Sequence, residues 1–419
     1  MDKIGINGGG ALKGRVKISG AKNAALPIMA ATLLASGKFK IHNVPDLRDV
    51  KTMAHLLRII GAQVEFANNS LTIDTSKCNF YEAPYELVKT MRASIYVLAP
   101  LLARFLEAKV SLPGGCALGS RPVDLHLKGL EKLGAKIELE KGYIVANAKK
   151  LTGASINFDI SSVGATGNIL MAAVLAQGRT VIENASHEPE ITALAQFLVT
   201  MGADIEGIET GRLTVRGVNH LKPVEYTVVP DRIETGTYLM AAAITGGEVE
   251  LTDTDPKILT SLVSKLRECD VFIEEGDSTL YCKAPNQIKP VSITTAPYPG
   301  FPTDLQAQWM TLMCVANGSS MITDTIFVDR FTHVAELRRL GAEIKRNKNS
   351  AVVTGTENLN GAPVMSTDLR AGASLILAGL QAQGRTDVLR VYHIDRGYEK
   401  IEEKLKLLGA DIWREEGGL

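Results

Sequence analysis

The chain of 419 residues carries an internal repeat, which limits its possible folds more than any other property. Apolar segments that end in a Gly-Ala pair, such as LLRIIGAQVEF, LEKLGAKIEL and LKLLGADIWR, recur from start to finish. The glycine or its equivalent lies at Gly61, Gly134, Gly202, Asp270, Gly341 and Gly409, with successive spacings of 73, 68, 68, 71 and 68 residues. Such a period indicates repeated supersecondary units. Asp270 replaces the glycine in the fourth copy, and aspartate tolerates a left-handed backbone better than most residues.

A second, alanine-rich motif recurs in step with the first. Examples are AALPIMAATLLASG, TGNILMAAVLAQG and TGTYLMAAAITGG. These runs are apolar on all sides, which predicts helices that are buried all round, and the closing glycine is a common helix stop. Each unit therefore reads as strand, buried helix, strand, amphipathic helix and two strands. Six units of this kind could form an open solenoid or two compact domains of three units each, and the repeat alone leaves both open.

Charge and cysteine content exclude several classes of protein. Lys and Arg number 46, as do Asp and Glu, so the formal net charge is zero and a general nucleic-acid or membrane binder is not expected. The start, MDKIGINGGG, has no apolar core of a signal peptide. Five scattered cysteines without CxxC, and histidines without HExxH, predict neither disulfides nor a metal site. We expect a soluble, cytoplasmic protein.

Polar residues, together with a Ser-Val-Gly segment, collect at the start of the buried helices. They are Lys22, Asn23, Arg92, Ser162, Val163, Gly164, Asp231, Arg232, Asp304, Asp368 and Arg370. Helix N-termini attract anions, but the same positions also serve as helix caps. Capping would explain Ser162, Asp231, Asp304 and Asp368. It does not explain the cations, whose charge opposes the helix dipole.

The connection after the inner strand of each unit is the other polar region. Arg48, Arg121, Arg330 and Arg396 lie on these connections, together with Cys116 in the glycine-rich stretch LPGGCALGS. A single such arginine is usually a solvated surface charge. Several on connections that the repeat makes equivalent, in a chain of zero net charge, indicate a strongly anionic small substrate.

The sequence resembles the enolpyruvyl transferase family over almost its full length. The resemblance rests on SGAKNA, LPGGCALGSRPVDLHL, PDRIETGTY, FPTDLQAQ, TDLRA and YHIDRGYEKIE, in this order. It implies an α/β fold, a two-domain inside-out α/β barrel of six repeats with helices inside and sheets outside. One domain would comprise residues 22–229 and carry the Cys116 lid loop, and the other residues 1–21 and 230–419. The active site would lie in the cleft between the domains.

The resemblance also implies an activity and a set of site residues. The family transfers the enolpyruvyl group of phosphoenolpyruvate to the 3′-hydroxyl of UDP-N-acetylglucosamine, releases phosphate, and so begins peptidoglycan synthesis. No cofactor, metal ion, nucleic acid or membrane would take part, and the protein would be monomeric. The implied substrate-binding residues are Lys22, Asn23, Arg92, Arg121, Pro122, Val123, Asp124, Leu125, Ser162, Val163, Gly164, Asp304, Ile326, Phe327, Arg330, Asp368, Arg370 and Arg396.

Four residues are implied as catalytic. Addition to C2 of phosphoenolpyruvate needs a proton donor at C3, and the sugar hydroxyl needs a base. Cys116 is the candidate acid and Asp304 the candidate base, while Lys22 and Arg396 would stabilise developing charge. The nearest alternative is transfer to shikimate 3-phosphate, which should lack the cysteine lid and the RPVDLHL segment. A non-catalytic repeat scaffold is the other alternative, but it leaves Cys116 and the clustered cations without a role.

Overall fold

The structure is a computed structural model that describes residues 2–89, 91–112 and 123–417. The chain divides into two compact units. Unit 1 comprises Met1–Ser19 and Pro230–Leu419, and unit 2 comprises Gly20–Val229. The chain therefore passes between the units twice, after Ser19 and after Val229. Each unit buries its own hydrophobic core.

The helices of the described residues are mainly of two kinds, one largely buried and one amphipathic. The α-helices are α1 (Lys22–Ala31), α2 (Arg48–Ile59), α3 (Tyr85–Val88), α4 (Leu98–Phe105), α5 (Asp124–Lys132), α6 (Val163–Ala173), α7 (Pro189–Thr200), α8 (Arg232–Ile244), α9 (Thr260–Glu268), α10 (Gln306–Met313), α11 (His333–Arg339), α12 (Leu369–Gln381) and α13 (Ile401–Leu407). Short 3₁₀ helices cover Thr32–Leu34, Arg92–Val97, Pro256–Ile258, Thr303–Leu305 and Val391–Arg396.

The buried helices form the centre of each unit. Every residue of α8 and of α10 is buried, as are eleven residues of α12. These three helices of unit 1 contact one another. In unit 2, α4 contacts α6, and α1 packs on the 3₁₀ helix Arg92–Val97. The prediction of helices buried on all sides is therefore confirmed. In the part of the chain that the structure describes, no helix has both the length and the apolar character needed to cross a bilayer.

Within the described residues, the strands are short and form six separate four-stranded sheets. They are β1 (Lys3–Asn7), β2 (Lys13–Lys17), β3 (Lys38–His42), β4 (Gln63–Ala67), β5 (Ser70–Asp74), β6 (Glu82–Ala83), β7 (Glu107–Ser111), β8 (Lys136–Glu140), β9 (Tyr143–Asn147), β10 (Ser155–Asn157), β11 (Arg179–Glu183), β12 (Asp204–Glu206), β13 (Arg212–Arg216), β14 (Glu225–Thr227), β15 (Glu248–Thr252), β16 (Phe272–Glu275), β17 (Thr279–Lys283), β18 (Ile293–Thr294), β19 (Ser319–Thr323), β20 (Glu343–Asn347), β21 (Ser350–Thr354), β22 (Pro363–Met365), β23 (Arg385–Leu389) and β24 (Asp411–Glu415).

All six sheets share one topology. In β18-β19-β21-β20, for example, β18 is parallel to β19, and β21 is antiparallel to both β19 and β20. The other orders are β6-β7-β9-β8, β10-β11-β13-β12, β14-β3-β5-β4, β2-β15-β17-β16 and β22-β23-β1-β24. Side chains alternate between buried and exposed along strands such as β3, where Phe39 and Ile41 are buried. Each sheet thus packs one face on the helices and leaves the other in water.

Three strands belong to the sheet of a repeat other than the one in which they stand along the chain. β2 precedes α1 but pairs in parallel with β15, and β14 precedes α8 but pairs in parallel with β3. β24 is followed by no further strand in the described residues, and β1 takes the inner position beside it. The units read along the chain and the sheets therefore do not coincide in the first, fourth and sixth copies. The pairings of β1 and β2 tie the N-terminal strands to the C-terminal half of the chain within unit 1.

The repeated glycine ends each amphipathic helix in a left-handed conformation. Its φ is 92° at Gly341 and Gly409 and 108° at Gly202, values that favour glycine. Asp270, which replaces glycine in the fourth copy, has φ 66°. Aspartate visits this region more easily than most residues, so the substitution keeps the turn, as we predicted.

Candidate active site

A carboxylate between two arginines is the central feature of the candidate site in unit 1. Asp304 lies in the 3₁₀ helix Thr303–Leu305, immediately before α10. Its Oδ1 is 2.7 Å from Nη1 of Arg330, and its Oδ2 is 2.8 Å from Nη2 of Arg370. The arginine side chains are only 5% and 3% exposed, whereas that of Asp304 is 26% exposed. Solvent therefore reaches this group of charges mainly at the carboxylate.

The two guanidinium groups control the charge of Asp304. Burial by itself would raise the pKa of the carboxyl, but the positive charges of Arg370 and Arg330, with their hydrogen bonds, hold that pKa well below its usual range. Asp304 is consequently ionised throughout the neutral range.

Both arginines keep donor atoms that the described residues do not use. Nε of Arg330, and Nε and Nη1 of Arg370, are buried without a hydrogen-bond partner among these residues. One carboxylate also leaves the pair of cations with an excess positive charge. Buried donors are normally satisfied, so unused donors on two buried cations indicate a place for an anionic ligand.

A second carboxylate, Asp324, holds the surrounding backbone in place. Its Oδ1 accepts hydrogen bonds from the backbone N–H groups of Ile326 and Phe327, at 2.9 and 2.8 Å. Its Oδ2 accepts from Oγ1 of Thr303 at 2.7 Å, and that oxygen in turn accepts from Nη1 of Arg330 at 3.1 Å. Asp324 is fully buried and thus links the Ile326 and Phe327 segment to the residue preceding Asp304.

Helix capping accounts for three of the polar residues at helix starts, but not for Asp304. Ser162 accepts from the N–H of Ala165, Asp231 caps α8, and Asp368 caps α12 by accepting from the N–H groups of Arg370 and Ala371. The structure gives Asp304 no such bond, and its carboxylate binds Arg330 and Arg370 instead. Capping therefore does not explain Asp304, contrary to one of our two interpretations.

In unit 2, a lysine begins the first buried helix. Lys22 is 7% exposed, and its Nζ is 3.6 Å from Oδ2 of the buried Asp49 in α2. Asn23 follows in the same turn and is half-buried. Arg92 begins the 3₁₀ helix Arg92–Val97, which packs on α1. Lys22 and Arg92 therefore stand at the starts of two helices that pack on each other.

The starts of α5 and α6 are joined by His126. Its Nδ1 is 3.0 Å from Nδ2 of Asn168, whose Oδ1 accepts from the N–H of Ala99. Because the amide nitrogen of Asn168 can only donate, Nδ1 of His126 accepts, and Nε2 carries the proton. Burial, followed by the charge of Arg92, lowers the pKa of His126 to about 4. The ring packs so closely on Gly164 that an added Cβ would lie 3.0 Å from its Cε1.

This packing brings two predicted nucleotide-binding segments together. Val123, Asp124 and Leu125 stand at the start of α5, while Ser162, Val163 and Gly164 stand at the start of α6, and the two helices are in contact. Val163 is 38% exposed and the others are half-buried. Both helix starts can therefore present backbone N–H groups to an anion.

Some predicted site residues cannot be placed with these two groups. Cys116, Arg121 and Pro122 lie outside the described residues. Arg396 ends the 3₁₀ helix Val391–Arg396 and is half-buried. Within residues 2–89, 91–112 and 123–417, no three His, Cys, Asp or Glu side chains are arranged to hold a metal ion.

Three residues near the site escaped the sequence analysis. Asp324 could have been suspected, because an aspartate directly after a strand often bonds the backbone two residues on. His126 and His333 lie eight residues before Gly134 and Gly341, so the repeat makes them equivalent. Both are buried, and burial lowers the pKa of each to about 4. Their equal distance from the repeated glycine could therefore have pointed to both histidines.

Comparison with known proteins identifies the family. A sequence profile described as EPSP synthase (3-phosphoshikimate 1-carboxyvinyltransferase) matches residues 6–405. A UDP-N-acetylglucosamine 1-carboxyvinyltransferase of Chloroherpeton thalassium is 57% identical over 99% of this chain and 97% of the relative. One of Myxococcus xanthus is 56% identical over 99% and 100%. The chain belongs to the enolpyruvyl transferase family. The resemblance on which the sequence analysis relied is thereby confirmed.

Solved structures of enolpyruvyl transferases have the same fold. The enolpyruvyl transferase NikO from Streptomyces tendae superposes with a TM-score of 0.90 at 27% identity, over 99% of this chain and 98% of that one. EPSP synthase from Acinetobacter baumannii has a TM-score of 0.78 at 18% identity, over 99% and 100%, which shows the fold alone. The predicted two-domain inside-out α/β fold is confirmed, and in this enolpyruvyl transferase its outer layer consists of six open sheets.

Proposed function

We propose that this enolpyruvyl transferase moves the enolpyruvyl group of phosphoenolpyruvate to the 3′-hydroxyl of UDP-N-acetylglucosamine and releases phosphate, as the first committed step of peptidoglycan synthesis. Relatives more than 50% identical over nearly the whole chain carry the corresponding name. The observation that carries the proposal within this chain is the group formed by Asp304, Arg330 and Arg370. It combines a carboxylate that solvent reaches with cationic donors that the described residues leave unused.

Phosphoenolpyruvate suits such a group because it carries a phosphate and a carboxylate. The unused Nε and Nη1 of Arg370 lie on different edges of one guanidinium, so each could donate to a separate oxygen of the ligand. Lys22, Arg92, Arg121 and Arg396 complete the proposed set of anion-binding residues. Their charges would stabilise the negative charge that grows as phosphate leaves.

The reaction needs proton transfers at the sugar hydroxyl and at C3, which we assign to Asp304 and Cys116. Asp304, held ionised by its arginines, takes the proton of the sugar 3′-hydroxyl as that oxygen bonds to C2 of phosphoenolpyruvate. Cys116 supplies the proton that C3 gains in this addition. The thiolate of Cys116 then takes a proton back from C3 as phosphate leaves C2, which restores the double bond, and the proton held by Asp304 leaves with the phosphate. Atoms balance, and no cofactor enters.

The nucleotide sugar is assigned to the starts of α5 and α6. Residues 121–125 and 162–164 would contact the uridine and the phosphates, because two converging helix N-termini favour a diphosphate. Ile326 and Phe327, held by Asp324, would lie beside the sugar. Asp368 caps α12 and thereby orients Arg370.

Transfer to shikimate 3-phosphate is the second candidate, because the matching family profile carries that description. The deciding experiment measures phosphate release from phosphoenolpyruvate with each acceptor separately. We expect release that requires both phosphoenolpyruvate and UDP-N-acetylglucosamine. Release with shikimate 3-phosphate and none with the nucleotide sugar would overturn the proposal.

Replacing Arg396 with lysine should separate the two substrates. Lysine keeps the charge but loses the planar fork, so we expect KM for phosphoenolpyruvate to rise about tenfold while KM for the nucleotide sugar changes little. Steady-state kinetics with each substrate varied in turn provide the measurement. Arg390→Lys, at an exposed arginine six residues earlier, is the control. A selective loss of nucleotide affinity in Arg396→Lys would contradict the assignment.

We further propose a cytoplasmic location and a monomeric state. Cys78, Cys269, Cys282 and Cys314 are free and buried, which fits a reducing compartment. Sedimentation equilibrium of the purified protein tests the monomeric state.

A further inference from the structure

A buried tyrosine of unit 1 contacts the arginine that binds Asp304. Tyr398 is 1% exposed, and the guanidinium carbon of Arg370 lies 5.5 Å from the centroid of its ring. A guanidinium within about 6 Å of an aromatic ring is attracted by the negative face of that ring. Arg370 is buried and binds Asp304 only through Nη2. The rest of the Arg370 guanidinium packs on the ring of Tyr398.

The hydroxyl of Tyr398 is fixed by side chains from two of the buried helices. Its Oη is 2.9 Å from Oγ1 of Thr237 in α8, and 3.0 Å from Nε2 of Gln308 in α10. The same Nε2 donates to the backbone oxygen of Asp304 at 3.1 Å. Oγ1 of Thr237 donates to the backbone oxygen of Ile233 at 2.8 Å, so it has no further proton to give.

The amide nitrogen of Gln308 has two protons for three acceptors, because it lies 3.0 Å from Oη of Tyr398, 3.1 Å from the carbonyl oxygen of Asp304 and 3.2 Å from Oγ1 of Thr237. Tyr398 then donates to Thr237, which donates to Ile233. Burial raises the pKa of Tyr398, against the opposing charge of Arg370, so the phenol keeps the proton that this arrangement needs. The direction of the bond from Tyr398 to Thr237 is therefore determined.

Tyr398 is thus connected to both partners of the ion pair. Its ring face contacts Arg370, and its hydroxyl reaches the backbone of Asp304 through the single amide of Gln308. We infer that Tyr398 is a positioning residue, which sets the plane of the Arg370 guanidinium relative to the Asp304 carboxylate. The inference rests on the proposed function, in which the unused donors of Arg370 bind phosphoenolpyruvate. Such donors bind well only when the plane that carries them is held before the ligand arrives.

Tyr398→Phe tests the positioning role. The variant keeps the aromatic ring and removes only the hydroxyl, whose hydrogen bonds orient the ring. We expect KM for phosphoenolpyruvate to rise about tenfold, as for the loss of one buried hydrogen bond, with less than about a twofold change in KM for UDP-N-acetylglucosamine. A lower fraction of folded enzyme would reduce the maximal rate but would leave both KM values unchanged. The shift in one KM therefore separates positioning from a general loss of structure.

Tyr238→Phe is the matched control. Tyr238 is also fully buried in α8, next to Thr237, but its hydroxyl makes no hydrogen bond within the described residues. Its removal should leave both KM values as in the unaltered enzyme. If Tyr398→Phe and Tyr238→Phe have the same kinetics, the positioning role is refuted. If the unaltered enzyme itself releases no phosphate with the two substrates, the proposed function fails instead.

A second variant tests the connection through the amide. Gln308→Met keeps the length of the side chain but cannot donate to Tyr398 or to Asp304. It should raise KM for phosphoenolpyruvate, and combining it with Tyr398→Phe should add little, because both changes break the same connection. Fully additive effects on KM would contradict a single connection through Gln308.

Discussion

Asp304→Asn is expected to lower kcat by about 10²- to 10⁴-fold, the usual contribution of a general base. The change also leaves Arg330 and Arg370 buried with no opposing charge between them. Removing one partner of a buried ion pair is strongly destabilising, and we expect the free energy of unfolding to fall by about 3 kcal/mol. Because an anion can replace the missing charge, phosphate should restore part of the stability, and binding of phosphoenolpyruvate should be retained.

The measurements are steady-state kinetics, together with denaturant unfolding with and without phosphate. Asp270→Asn is a matched control, because Asp270 is also ion-paired, with Lys289 at 2.8 Å, but both side chains are well exposed. Exposed pairs contribute little, so the control should keep its stability and its turnover. An Asp304→Asn variant with unchanged kcat would remove Asp304 from base catalysis, and unchanged stability would contradict its role between the arginines.

The same pair predicts a dependence of stability on pH. The pKa of Asp304 lies well below its ordinary value in the folded protein, since Arg370 and Arg330 outweigh the effect of burial. Its contribution to stability is therefore fully present above an unfolded pKa of about 3.9, and is lost as the pH falls toward the folded pKa. The difference in unfolding free energy between the unaltered protein and Asp304→Asn should shrink below about pH 4.

Cys116→Ser is expected to have a comparably large effect on turnover. A thiol with an ordinary pKa of about 8.5 can give up a proton near neutral pH, whereas a hydroxyl is a far weaker acid. We expect kcat to fall by about 10²-fold or more, with KM for UDP-N-acetylglucosamine little changed. Cys116→Asp keeps an acidic proton and should remain active, with its optimum displaced to lower pH. The test is a pH–rate profile of the three proteins.

Cys314→Ser supplies the control for the loss of a thiol. Sγ of Cys314 donates to the backbone oxygen of Met310 at 3.3 Å, and a serine hydroxyl can make the same bond. Its turnover should be unaffected. The family resemblance implies that the epoxide fosfomycin alkylates Cys116, so only the variants at Cys116 should resist this inhibitor. A fully active Cys116→Ser variant would leave Cys116 without a role as the acid.

Much of the fold followed from local patterns in the sequence. The Gly-Ala repeat predicted the helix ends and the left-handed backbone at Asp270, because both depend on the residue itself and its immediate neighbours. The alanine-rich runs predicted helices such as α8 and α10, since an element without a polar face can only be buried. The motifs shared with enolpyruvyl transferases predicted the family and thereby its fold.

The grouping of charges around Asp304 had no such local signal. An aspartate before a helix can cap that helix or form an ion pair with a distant residue. Only the distances from Asp304 to Arg330 and Arg370 showed that it forms ion pairs. The choice depended on residues 26 and 66 positions away, and the repeat indicates that such residues are equivalent but not the distances between their side chains. Tyr398 was missed for the same reason.

The sequence alone therefore determined the repeating elements, the burial of their helices and the family. Only the tertiary structure decided that β2 and β14 exchange places between repeats and that β1 completes the sixth sheet. Strands of similar pattern can pair with several partners, and the choice depends on how the whole chain closes its two cores. It likewise decided which charges lie within hydrogen-bonding distance, because that distance is set by the packing of α8, α10 and α12 in unit 1.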